Sequence, residues 1–103
     1  MIKVSVLYPG DDAATFDMDY YCNSHIPMVK EKLGPPCKNV AVESGLGGGA
    51  PESPPPYIAM GHLYFDTVDD FQTAFGPHAE AIMGDIPNFT NVEPIIQVSQ
   101  VHI

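Results

Sequence analysis

Arginine is absent from the chain, and lysine occurs only four times, against thirteen aspartates and glutamates. A formal net charge of -9 repels phosphate backbones, so nucleic acid is not expected as a partner. Without arginine the chain also lacks the bidentate clamp that holds carboxylates and phosphates. A neutral or apolar ligand suits it better. Long apolar runs are missing too. None approaches the roughly 20 residues that a membrane-spanning helix needs, so no membrane partner is expected. Strand-like sequence begins at Ile2, which leaves no stretch for a secretory leader, and a cytoplasmic location is expected. Cysteine is scarce. Cys22 and Cys37 have neither CxxC nor zinc-finger spacing, and they read as two reduced, buried thiols.

What is present is enough for one domain, residues 1–103, with 45% hydrophobic residues to build a core of modest size. Ile2, Val4, Val6 and Tyr8 alternate with Lys3, Ser5 and Leu7, which is a strand pattern. Asp17 is placed to cap a helix, and Gly34-Pro35-Pro36 ends it. Cys37 to Leu46 reads as a second strand and Tyr57 to Phe65 as a third. Between them Gly47 to Pro56 is too rich in glycine and proline for regular structure, and forms a long hairpin loop. Asp66 is expected to cap a second helix, in which Val68, Phe71 and Phe75 fall at helical spacing. A further turn or two follows Gly76-Pro77, then a loop, then a last strand from Ile95. The order βαββαβ is the α+β, ferredoxin-like plan: a four-stranded antiparallel sheet with two helices on one face. The first and last strands carry apolar residues on both faces, with Leu7, Ile96 and Val98 set against Val4, Ile95 and Val101. A sheet face that apolar calls for a cover, and a homodimer supplies one most simply.

The first helix holds the best candidate for chemistry. At about 100° per residue, Met18, Tyr21, Cys22, His25, Val29 and Leu33 share one face, and Asp19, Asn23, Ser24, Lys30 and Glu31 lie opposite. His25 sits near the middle of the apolar stripe. Two residues on, Pro27 cannot donate to the Asn23 carbonyl and its ring pushes that carbonyl away, so a bend is expected beside His25. Such a bend makes room beneath the helix. A lone histidine on an apolar face is more often a packed residue bonded to a carbonyl than a catalyst, and the proline would then only set a crossing angle.

Three stretches weigh against that plainer view. "FDMDYYCNSHIPMVKEKLGP", "LYFDTVDDFQTAF" and "DIPNFTNVEPIIQVSQV" together resemble the EthD family over nearly the whole chain, with His25 and Pro27 forming the specific HxP element. The Gly47 to Pro56 insertion is the one departure. The resemblance implies a dimeric α+β barrel. The family takes its name from an accessory protein of ethyl tert-butyl ether degradation. Many members are labelled reductase-like, so an oxidoreductase-associated role in small-molecule degradation is implied. Related barrels include cofactor-free aromatic monooxygenases, polyketide cyclases, lactone isomerases and haem-binding enzymes, with ligands commonly held between helices and sheet. Fold does not fix chemistry.

These readings converge on a hydrophobic, oxygenated small molecule. His25 acts as general base or acid, since an imidazole's unperturbed pKa near 6.5 suits proton transfer at neutral pH. Tyr21 is a hydrogen-bond donor or a pocket wall, and Met28, Phe89, His78 and His62 shape the cavity. Strand three leaves two choices for His62. Either Ile58, Met60, His62 and Tyr64 face the helices, or the more core-like Ala59, Leu63 and Phe65 do. No histidine pair has i,i+4 or HxH spacing, so no metal is expected, and a haem ligand at His78 is set aside with it. No cofactor is called for. The rival is a non-catalytic ligand-binding or structural dimeric module.

Overall fold

The computed structural model describes all residues, 1–103. Strand β1 (Ile2–Pro9) leads into a continuous helix α1, built of three successive pieces: Met18–Tyr20, Tyr21–His25 and Ile26–Leu33. Strands β2 (Asn39–Ser44) and β3 (Tyr57–Phe65) follow, then helix α2 (Val68–Phe75). A 3₁₀ turn at Gly76–His78, helix α3 (Ala79–Gly84), a second 3₁₀ turn at Ile86–Asn88 and strand β4 (Ile95–Gln100) complete the chain. The sheet order is β2-β3-β1-β4, and every neighbouring pair is antiparallel. This is the expected ferredoxin-like plan. No regular element lies between Ser44 and Tyr57, as the glycines and prolines there dictate.

Local chemistry explains the helix ends. The Asp17 carboxylate accepts the Tyr20 amide at 3.0 Å, and the chain leaves α1 through Gly34 at φ 69°, a conformation glycine adopts without strain. At α2 the cap is Thr67, not Asp66 as expected. The Thr67 hydroxyl accepts the Asp70 amide at 3.0 Å, while Asp66 lies 3.9 Å from the Lys38 ammonium. Threonine sits one residue nearer the first helical turn, so its oxygen reaches the orphan amide first.

The register assigns the sheet faces. Val4 opposes Leu63 and Val98, and Val6 opposes Gly61 and Ile96. These residues look toward the helices, where Ile2, Val4, Val29, Leu33, Leu63, Phe65 and Ile82 form one buried cluster. Tyr8, Tyr21, Ile26, Ala59 and Phe89 form a second. Ser5 opposes His62, and Leu7 opposes Met60 and Ile95, so these residues share the helix-free face. The expected grouping of Leu7 with Ile96 and Val98 is therefore off by one residue on β4. A shift of one residue moves a side chain to the other face, and only the pairing with β1 decides it.

The middle of α1 departs from α geometry. Tyr21–His25 is a π-helical turn, closed by the Ile26 amide donating to the Tyr21 carbonyl. Pro27 stands just after it, within the first turn of the following α segment. The missing amide and the crowding ring remove an ordinary i→i−4 bond, and the helix takes up the fault as one widened turn. The widened turn also resets which residues face inward. Tyr21, His25 and Ile26 are all buried, whereas Cys22 is exposed and not buried as its α-helical phase predicts. Cys37 is half-buried, also less enclosed than expected.

Candidate functional site

His25 is 4% exposed and lies on the inner side of the π turn. Its Nδ1 is 2.8 Å from the Asp85 Oδ2, between α3 and the second 3₁₀ turn. The Tyr20 hydroxyl donates to the Asp85 Oδ1 at 2.8 Å, and the Asn88 amide donates to the same oxygen at 2.9 Å. The carboxylate is thus held from three sides. Burial raises the Asp85 pKa, but the hydrogen bonds from Asn88, His25 and Tyr20, with the His25 charge, outweigh it and hold the carboxyl below its usual range. An ionised Asp85 fixes the His25 tautomer, with the proton on Nδ1 and the lone pair on Nε2.

Aromatic rings clamp the imidazole. Tyr21 stacks on it at 5.3 Å and 16°, and Phe89 tilts against it at 4.7 Å. Phe89 is 3% exposed and also meets Tyr8, Phe16 and Tyr21. Tyr21 reaches β3 at Gly61, where an added Cβ would strike the Tyr21 hydroxyl. Glycine is needed there because the phenol occupies the space of a side chain. Burial pushes the Tyr21 phenol up to about 12, with hydrogen bonding from Tyr8 drawing it partly back. Burial, and then the charge and hydrogen bond of Tyr21, raise Tyr8 further. At neutral pH both phenols stay protonated and keep a proton to donate.

Tyr8, Tyr21, His25 and Gly61 border a cavity of about 50 Å³ between the helices and the sheet. Its walls include Val6, Tyr8, Tyr21, His25, Gly61 and Ile96, and they are almost wholly apolar. Nε2 of His25 makes no hydrogen bond within the chain, yet no fully buried side-chain nitrogen or oxygen is left unpaired. Nε2 therefore keeps accessible surface, on a residue that lines the cavity.

Of the residues expected from the sequence, the structure brings Tyr21 and Phe89 against the His25 ring, but only His25 and Tyr21 line the cavity. It does not gather the others. His62 is buried on the helix-free face, with Nδ1 2.8 Å from the Ser5 hydroxyl and Nε2 3.3 Å from Glu43, because Leu63 and Phe65 take the core positions. His78 is half-buried in the first 3₁₀ turn and does not line the cavity. Met28 packs against the core cluster of Val29 and Leu33 and does not line the cavity. Asp85, Tyr8, Tyr20 and Asn88 were not singled out by sequence reasoning. Asp85 and Asn88 do open the "DIPNFTN" stretch, where two polar side chains flank a proline. No group of three or more His, Cys, Asp or Glu side chains is gathered closely enough to hold a metal ion, and no helix is long and apolar enough to cross a membrane.

The same arrangement of strands and helices occurs in solved proteins. An EthD-like protein of Ralstonia eutropha JMP134 is 43% identical, with TM-score 0.94, covering 99% of this chain and 92% of that one. An ethyl tert-butyl ether degradation family protein of Bacillus halodurans C-125 is 20% identical, with TM-score 0.74 and 99% of each chain covered. A dimeric ferredoxin-like protein of unknown function from Thermobifida fusca YX shares the fold, at 20% identity and TM-score 0.56, over 97% of this chain and 90% of that one. No curated protein matches the chain. The EthD domain model matches residues 9–93, a span that carries the π turn, Gly61 and Asp85 alike, and the chain accordingly belongs to the EthD family.

Proposed function

We propose that this protein catalyses proton transfer on a small, neutral, apolar carbonyl compound. The observation that carries the reading is the 2.8 Å contact between the His25 Nδ1 and Asp85 at an apolar cavity. Asp85 orients the ring and stabilises the imidazolium that forms when Nε2 takes a proton. The base removes a proton from the carbon beside the carbonyl. The C–H electron pair becomes the new carbon–carbon π bond as the carbonyl π pair moves to oxygen, and the Tyr21 hydroxyl donates a hydrogen bond to the resulting enolate. Tyr8 supports Tyr21. Two groups of opposite role, an acceptor imidazole and a protonated phenol, share one pocket. Isomerisation, cyclisation and cofactor-free oxygenation all begin with this step, and each fits an oxidoreductase-associated role in small-molecule degradation. No lysine or arginine lines the cavity, which disfavours anionic substrates. The protein works as a cytoplasmic homodimer in this reading, with the helix-free sheet face covered by a second copy.

The test needs no prior substrate. A panel of small enolisable ketones and lactones is incubated with the protein in deuterium oxide, and loss of the α-proton signal is followed by NMR. Wild type is expected to exchange the α-proton of at least one compound, and His25→Gln to be slower by about 10²- to 10⁴-fold. Equal exchange by His25→Gln, or none by wild type, sinks the proton-transfer reading. The small cavity favours a second reading, that the chain is a non-catalytic module. An apolar cavity of about 150 Å³ takes up benzene, and at about 50 Å³ this one admits a ring only if the walls move.

A further inference from the structure

We infer that the cavity is completed by a second copy of the chain, whose contact extends past the helix-free face onto the helix side of β4. The inference rests on the homodimer proposed above and not on the proton-transfer chemistry. Strand β4 is a sheet edge that pairs only with β1. Ile95 is 51% exposed, Ile96 46% and Val98 42%, so apolar surface is uncovered on both faces of one strand. Ile95 belongs to the helix-free face with Leu7, whereas Ile96 and Val98 lie on the helix side with Val6 and Val4. A partner seated only on the helix-free face would cover Ile95 and leave Ile96 and Val98 in water.

Ile96 is also a wall of the His25 cavity, as is Met83, itself 38% exposed. The exposed apolar rim of the cavity and the uncovered side of β4 are therefore one surface. Its charge points to the occupant. From Ile95 to Ile103 the chain has no lysine and no side-chain carboxylate, although each copy carries a net charge of -9. Two acidic copies repel over most of their surfaces and approach best along this strip. A two-fold contact is self-complementary, so both copies contribute the same strip to it. The outer edge of β4 offers free amides and carbonyls for the same approach. Ile103, wholly exposed at the end of the strip, gains a cover as well.

Thiol labelling separates the two faces. Ile95→Cys and Ile96→Cys are each made in a Cys22→Ser/Cys37→Ser background, and maleimide labelling is timed above and below the dimer's dissociation midpoint from sedimentation. Both cysteines are expected to be slowed at least about tenfold above the midpoint and to react freely below it, as burial in an interface requires. If Ile95→Cys is protected and Ile96→Cys reacts equally at both concentrations, the partner stops at the helix-free face and the inference is overturned while the dimer stands. If neither is protected and sedimentation finds only monomer, dimer and inference fall together. Should Ile96→Cys block association, Val98→Cys, on the same side of β4, replaces it. Protection that rises with concentration supports the inference, and its absence overturns it. The ketone exchange assay is independent of all these results.

Discussion

At the scale of single residues, the site depends on who holds His25 and who faces it. Asp85 does the holding. Its carboxyl titrates below the ordinary 3.8 in the folded chain, so its stabilisation is present above that value and is lost as pH falls through the folded pKa. Asp85→Asn is expected to lower the melting temperature at pH 7 and to flatten its fall below about pH 4. Thermal melts from pH 7 to pH 2 check this, and an unchanged acid slope would count against the hydrogen-bonded carboxylate. Gly61 makes the other demand. Gly61→Ala places a methyl against the Tyr21 hydroxyl, and overpacking of this kind costs about 1–3 kcal/mol. Denaturant unfolding measures that loss, and a change near zero would mean the phenol moves aside freely. His25 was legible from the sequence because its place on an apolar stripe needs only local spacing. Asp85 was not, because it lies 60 residues away and is joined to His25 only by the fold. His62 shows the converse. Its strand carries apolar residues on both faces, so period two leaves its direction undetermined until β1 pairs with it.

At the scale of elements, the π turn of α1 is the feature that departs from local rules. A proline two residues after His25 made a fault in the helix legible, but not the form it takes. A bend and a widened turn answer the same missing amide, and the choice depends on packing of Tyr21, His25 and Ile26 against the sheet. The consequence is measurable at Cys22, which an α-helical phase turns inward and the π turn leaves exposed. Pro27→Ala restores an amide able to donate to the Asn23 carbonyl. The expected result is partial return to α geometry, with Cys22 labelled more slowly by a thiol reagent than in wild type and ketone exchange at His25 impaired. Labelling at the wild-type rate would show that core packing, not the proline, maintains the π turn. Strand β4 makes a related point. Its existence follows from its β-branched residues, but its facing follows from a register that only the neighbouring strand supplies.

At the scale of the whole molecule, the governing facts are an uncovered sheet face and a large charge of one sign. The helix-free face carries Leu7, Met60 and Ile95 around the hydrogen-bonded trio of Ser5, His62 and Glu43. An apolar surface with a satisfied polar centre is suited to burial against its own kind, because no donor or acceptor at its middle is left orphaned. The net charge of -9 per copy works the other way, since association brings like charges together. Salt decides between the two effects. The screening length is about 10 Å at 0.1 M ionic strength and about 3 Å at 1 M, so added salt removes repulsion between distant acidic surfaces and leaves apolar burial intact. The proposed dimer is therefore expected to tighten as sodium chloride rises from 0.05 M to 1 M, a trend measured by sedimentation equilibrium at neutral pH. Weakening over that range would mean that ion pairs hold the copies together. With only four lysines to supply the positive partners, such a contact would have to use Lys3 on the helix-free face, and Lys3→Gln would then abolish association instead of leaving it intact.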